Sequence, residues 1–222
     1  MRSPFSSPYL LLFIFGFAVL LAFIQIGILS IAFEKLGLSA NSAILLLFTS
    51  LFGSGINLPL FSIQAEAPPE GTPVSPMRSL LRLPEIPFTG TTLIAINVGG
   101  CLVPAMFSVY LMSHSTLGLG EILLSIAVVS AFAYRVSRPI HGIGIGMPVF
   151  LAPISAALVA LVVNPEQSAA LAYICGTLGV LIGADIFRIK DIRHMGVPIA
   201  SIGGAGTFDG IFITGIIAVL LA

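Results

Sequence analysis

The chain has 222 residues, of which 57% are hydrophobic and only 8% are charged, and its formal net charge is zero. A soluble domain carries about 25% charged residues, so most of this exterior must face lipid rather than water. The balanced charge and the lack of a basic block exclude a nucleic-acid partner, and the sequence holds no cofactor motif. We therefore expect an integral membrane protein whose surroundings are the lipid bilayer.

Seven apolar segments are long enough, or nearly so, to cross a bilayer, since about 20 helical residues span the ~30 Å hydrocarbon layer. They predict an all-α fold, with residues 1–222 forming a single membrane domain. The fourth is the weakest, because it is short and contains Glu121, so six spans remain an alternative. The segments, numbered one to seven, are 9–33, 39–63, 91–112, 118–134, 141–163, 167–187 and 198–222.

The basic residues predict how these segments are oriented. With seven spans and a cytoplasmic N-terminus, only Lys35 lies outside. This asymmetry follows the rule that Lys and Arg stay on the cytoplasmic side. The sequence thus predicts a multi-pass protein of the cell membrane with its C-terminus outside. The residues expected inside are Arg2, Arg78, Arg82, Arg135, Arg138, Arg188, Lys190 and Arg193.

Between segments two and three, residues 64–90 contain six prolines and both signs of charge. Proline lacks a backbone donor and breaks helices, so this stretch predicts an irregular cytoplasmic segment. It is either a lid or a plain linker.

Polar and glycine-rich breaks fall in the expected cytoplasmic half of five segments. Asn57 and Asn97 lie in segments two and three, residues 142–148 open segment five with glycines and a proline, and Asp185 closes segment six. Segment seven is interrupted by "GGAGTFDGIF", residues 203–212. These breaks favour a polar cavity open to the cytoplasm. Alternatively, the asparagines bond across helices and the glycines allow close helix packing.

Asp185 and Asp209 are the strongest candidates for function. A carboxylate within a membrane helix costs at least ~2.5 kcal/mol on insertion scales and usually lines a cavity or pathway. The glycines before Asp209 favour an opened backbone, which survives at membrane depth only beside protein or a watered cavity. We assign Asp185 and Asp209 as candidate catalytic residues, with no metal site. The candidate substrate-binding residues are Asn57, Asn97, Gly203, Gly204, Gly206 and Thr207.

Two chemistries fit this arrangement. Two carboxylates sharing one proton can act as base and acid toward a membrane peptide, as in an aspartyl hydrolase. A buried carboxylate beside broken helices can instead couple a proton or cation to the movement of a small solute. The oligomeric state is left open.

Three other residues have structural interpretations. Glu121 is expected to cap a helix at the outer interface. Cys101 and Cys175 lie in apolar runs, which favours two small buried side chains over a disulfide.

The stretches "GINLPL", "IAINVGG", "PVFLAPISAAL", "LIGADIF" and "PIASIGGAGTFDGIFITGIIAVLLA" together resemble domain-of-unknown-function family 1614, a family of prokaryotic multi-spanning proteins. The resemblance runs from about segment two to the end of the chain. It implies a prokaryotic cell membrane and no particular activity.

A weaker likeness is to the intramembrane aspartyl proteases of the presenilin and signal-peptide-peptidase type. In that group two aspartates lie on consecutive helices, the second in a Gly-x-Gly-Asp motif. Here Thr207 and Phe208 separate Gly206 from Asp209, and Ala184 stands where that group has the tyrosine before its first aspartate. The likeness implies a catalytic role for both aspartates.

Overall fold

The computed structural model describes residues 27–67, 90–140, 144–204 and 210–222. Most of segment one, most of the proline-rich stretch 64–90 and residues 141–143 lie outside the described residues. So do three of the predicted site residues, Gly206, Thr207 and Asp209.

The described part of the chain is mostly helical, as the apolar segments predict. The α-helices are α1 (Gly27–Lys35), α2 (Ala40–Gly53), α3 (Val103–His114), α4 (Leu119–Val136), α5 (Leu151–Val163), α6 (Ser168–Val180) and α7 (Gly210–Leu221). A π-helix, Val98–Leu102, leads into α3, and another, Leu181–Ile186, continues α6. A 3-10 helix follows at Ile189–His194.

The prediction of an all-α fold is wrong, because the chain also forms two small sheets. Strand β1 pairs antiparallel with β2, and β2 pairs parallel with β5. Strands β3 and β4 form a separate antiparallel pair. The strands are β1 (Asn57–Gln64), β2 (Thr91–Asn97), β3 (Arg138–Ile140), β4 (Gly144–Gly146) and β5 (Ile199–Ile202).

The strands account for the polar breaks. Segments two and three, predicted as membrane-crossing helices, are each helix over one part and strand over another, and segment seven begins with β5 and is helical from Gly210. Segment five likewise begins with β4 and becomes helical at α5, and segment six ends in a π-helix. Proline, glycine and β-branched residues disfavour helix in these halves, and pairing into a sheet satisfies the backbone groups that a helix would have satisfied.

Two helices are long and apolar enough to cross a membrane: Leu119–Val136 and Ser168–Ile186. The first corresponds to segment four, the one with the weakest sequence pattern. The pair α1 and α2 passes the same test together, but it is bent by 109° and is either a broken span or a re-entrant loop. The described residues thus contain two or three candidate spans.

The core is built around α6, whose Leu171–Cys175 are fully buried. Helices α4 and α6 approach closely at two glycines spaced four residues apart. A Cβ on Gly179 would lie 2.8 Å from the Val129 side chain, and one on Gly183 would lie 2.2 Å from the Ser130 carbonyl oxygen. Glycines thus allow close helix packing at Gly179 and Gly183, which the sequence did not single out, whereas a Cβ on Gly144 would meet nothing within 4 Å.

The connections gather at two opposite ends of the helices. We call the end that holds β1 to β5 and the 3-10 helix the strand end, and the other the loop end. At the loop end, Glu121 accepts a hydrogen bond from the Gly118 backbone N–H (2.8 Å), which confirms its capping role. Other contacts at that end join Thr116 to Gln167, Glu121 to Asn164, Lys35 to the Val219 carbonyl and Ser168 to the Ala222 carbonyl.

Candidate functional site

The candidate site lies at the strand end, where α2, β2 and β5 meet, and Asn97 organises it. Its side chain is 1% exposed. The amide nitrogen donates to the Ser54 carbonyl (2.6 Å) and to Oδ1 of Asn57 (3.0 Å). Its Oδ1 accepts from the Gly100 backbone N–H (2.7 Å) and so caps the π-helix that follows β2. The protein itself thus occupies both hydrogens of this amide.

Four glycines let three backbone segments touch beside Asn97. A Cβ on Gly99 would lie 1.9 Å from the Ser50 carbonyl oxygen, and one on Gly100 would lie 1.9 Å from the Gly203 carbonyl oxygen. Gly53 packs against the backbone of Gly99. Larger residues at these positions would separate the end of α2, the π-helix and the turn after β5.

Asp185 holds the turn that leads toward Asp209. Its Oδ2 accepts a hydrogen bond from the Gly203 backbone N–H (2.8 Å). Gly203 and Gly204 have φ values of +84° and +97°, a region that glycine enters without strain. Asp185 is half-buried.

The structure thus brings together some of the predicted site residues. Asp185 contacts Gly203, and Gly203 packs against Gly100, whose N–H bonds to Asn97. Asn57 is hydrogen-bonded to Asn97 but is exposed. The two asparagines do bond to each other, at the paired ends of β1 and β2 rather than across helices.

The sequence placed Arg188 on the cytoplasmic side but did not predict its structural role next to Asp185. Its guanidinium donates to the Ser137 hydroxyl (2.9 Å), to the carbonyls of Tyr134 and Ser137 (2.7 Å each) and to the Asp191 carboxylate (2.9 Å). It also stacks over the Tyr134 ring, 4.5 Å from the centroid. These contacts fix the end of α4 against the segment that carries Asp185. Only long-range contacts reveal this role.

The two cysteines are free and buried, as predicted. Within the described ranges, no three side chains of His, Cys, Asp or Glu cluster in a way that could hold a metal ion.

Residues 51–221 match the family described as "Protein of unknown function (DUF1614)". The chain belongs to this family. The matched region contains every residue of the candidate site, Asn57 through Asp209. Comparisons with curated proteins and with solved structures give no match.

Proposed function

We propose that this chain is a multi-pass protein of the cell membrane with seven crossing segments, a cytoplasmic N-terminus and an outside C-terminus. Two features support this topology. The connections expected inside, including those with Arg135, Arg138 and Lys190, lie at the strand end. The connections expected outside contact one another at the loop end, where Lys35 lies. In segments with short helices, a paired strand completes the crossing at the cytoplasmic side.

We further propose that the strand end is the active site of an aspartyl hydrolase that uses Asp185 and Asp209. The observation that carries this proposal is the hydrogen bond from Gly203 N–H to Asp185. It fixes Gly203 to Asp185, and the six residues of chain from Gly203 to Asp209 span at most about 20 Å. Helices α6 and α7 run antiparallel, with Gly176 against Thr214 and Ala218. Their register brings Gly210, which directly follows Asp209, to the level of the end of α6.

The chemistry would require the two carboxylates to share one proton. The ionised one takes a proton from a water molecule as the water oxygen attacks the carbonyl carbon of the scissile peptide bond. The protonated one gives its proton to the carbonyl oxygen. The first carboxyl group then gives the proton it took from water to the leaving nitrogen, and the C–N bond breaks. A hydroxyl of the tetrahedral intermediate returns a proton to the second carboxylate, which yields a carboxylic acid and an amine.

The test compares hydrolysis of helical membrane peptides by purified chain and its variants. Asp209→Asn and Asp185→Asn should each lower the rate at least about 100-fold, the contribution expected of a general acid or base. Asn at position 185 keeps an oxygen that can accept from Gly203, so the fold should be retained. Asp185→Ala should lower both activity and thermal stability.

Glu66→Gln is the matched control, because Glu66 is an exposed acidic residue at the same end, paired with His194. It should leave the rate within about twofold. Hydrolysis that persists in Asp209→Asn would rule out this mechanism.

A proton- or cation-coupled carrier of a small solute is the second candidate. Five segments change from α-helix to strand or π-helix near the strand end. This favours a carrier, because broken helices form the substrate sites of many transporters. In that case, vesicles containing the protein would take up solute in response to a pH gradient. Asp209→Asn would abolish uptake, and no peptide would be cleaved.

A further inference from the structure

A shallow cavity of about 550 Å³ at the strand end is not part of the aspartate site. It is lined by Tyr134, Ile186, Phe187, Ile189 and Lys190. The lining combines exposed apolar and aromatic groups with one cation: Ile186 is 42% exposed and Phe187 57% exposed. A surface that is apolar on one side and basic on the other suits an amphipathic ligand.

The cavity lies where the two described helices that are long enough to cross a membrane end. Leu119–Val136 and Ser168–Ile186 have 18 and 19 residues, or about 27–28 Å at the helical rise, close to the hydrocarbon thickness. Tyr134 and Phe187 are at the ends of these helices, where aromatic residues mark the boundary between acyl chains and headgroups. Lys190 lies four residues beyond the second helix, where the membrane placement proposed above puts the headgroups.

In the part of the chain that the structure describes, no group compensates the positive charges next to the cavity. Among the described residues, the side chains of Arg135, Arg138 and Lys190 form no hydrogen bond or ion pair, and all three residues are exposed. The nearby acidic groups have other partners: Asp191 pairs with Arg188, and Asp185 holds Gly203.

Arg188 shapes the cavity but is not free to bind a ligand. Four of its five N–H donors are directed at Tyr134, Ser137 and Asp191. It therefore fixes Tyr134 relative to the 3-10 helix and leaves Lys190 as the cation that faces the opening.

We propose that this cavity binds an anionic glycerophospholipid of the cytoplasmic leaflet. The headgroup phosphate contacts Lys190, with Arg135 and Arg138 contributing to the local positive potential, and the first acyl carbons lie against Ile186 and Phe187. Charge complementarity selects the occupant, because the cytoplasmic leaflet carries anionic lipid and a zwitterionic headgroup offers no net charge. The site rests on the membrane placement proposed above and does not depend on the chemistry of the aspartates.

The chain contains no tryptophan, so Phe187→Trp gives a fluorescent reporter inside the cavity. We would reconstitute this full-length variant in phosphatidylcholine bilayers and titrate brominated phosphatidylglycerol or brominated phosphatidylcholine as quencher. Phosphatidylglycerol should compete about fivefold better for the site, the factor expected from one Lys near the membrane surface. Lys190→Gln in the same background should remove most of this preference and leave only the part that Arg135 and Arg138 contribute.

Arg193→Gln is the matched control, since Arg193 is an exposed cation on the same 3-10 helix but does not line the cavity. The preference should persist in it. The proposed site would be wrong if the two lipids quenched equally, or if Arg193→Gln lost as much of the preference for phosphatidylglycerol as Lys190→Gln. Absence of quenching by either lipid would overturn the membrane placement, whereas peptide hydrolysis tests the aspartates separately.

Discussion

Asn97 shows how a single buried polar residue determines the local structure of the candidate site. It ends β2, caps the π-helix and ties both to the end of α2 through the Ser54 carbonyl. A buried polar group that loses its partner costs about 1–3 kcal/mol. The hydrogen bonds of Asn97 thus give it a structural role next to the site. A direct contact between Asn97 and substrate stays a prediction.

The first prediction compares the two asparagines. Asn97→Ala should lower the free energy of unfolding by about 2–4 kcal/mol, because it leaves the Ser54 carbonyl and the Gly100 N–H without a partner. Asn57→Ala should lower it by less than about 1 kcal/mol, since water can replace an exposed amide. Thermal unfolding of both variants in detergent, followed by circular dichroism, measures the difference. Equal losses would show that Asn97 is not the central residue of this network.

At the scale of elements, the contact between α4 and α6 depends on glycines. Gly179 and Gly183 lie one turn apart on the same face and allow the backbone of α4 to approach. This small-residue spacing is typical of membrane helix interfaces. Because Asp185 follows Gly183 by two residues, this packing also sets the position of the carboxylate.

The second prediction concerns this interface. Gly183→Ala should destabilise the protein by about 1–3 kcal/mol or more, because the new methyl group would lie 2.2 Å from a backbone carbonyl that cannot rotate away. Gly120→Ala is the control in the other helix of the pair. A Cβ there meets nothing within 4 Å, and alanine is the better helix former, so stability should stay equal or rise by up to ~1 kcal/mol. If Gly183→Ala left the stability of the protein unchanged, the two helices would not approach as closely as the structure indicates.

For the whole molecule, the main property is the difference between its two ends. The strand end carries both sheets, Arg188, the candidate site and the uncompensated cations. The loop end consists of short turns joined by a few polar contacts. A sheet with open edges cannot lie among acyl chains, so the strands belong at a boundary or inside the protein.

The third prediction tests the orientation of these ends. Both native cysteines are buried, at 7% and 0% exposure, so the natural chain should react little with a membrane-impermeant maleimide. Ser113→Cys, at the loop end, should be labelled in intact cells. Arg193→Cys, at the strand end, should be labelled only after the cells are broken. The opposite pattern would contradict the proposed topology, and labelling of both in intact cells would contradict the membrane placement.

The sequence by itself determined the apolar character of the chain, its mostly helical content, the breaks in five segments and the family. These properties depend on local composition: apolar runs, glycine, proline and the placement of charge. It did not determine that the polar part of three segments would pair into a sheet, because β5 joins β2 from a position more than 100 residues further along the chain. Nor did it reveal the role of Arg188, whose contacts with Tyr134 and Ser137 join residues more than 50 positions apart in the chain. Only the tertiary structure decided that Asp185 holds Gly203, since that hydrogen bond depends on how α6 packs against α4 and on where β5 ends.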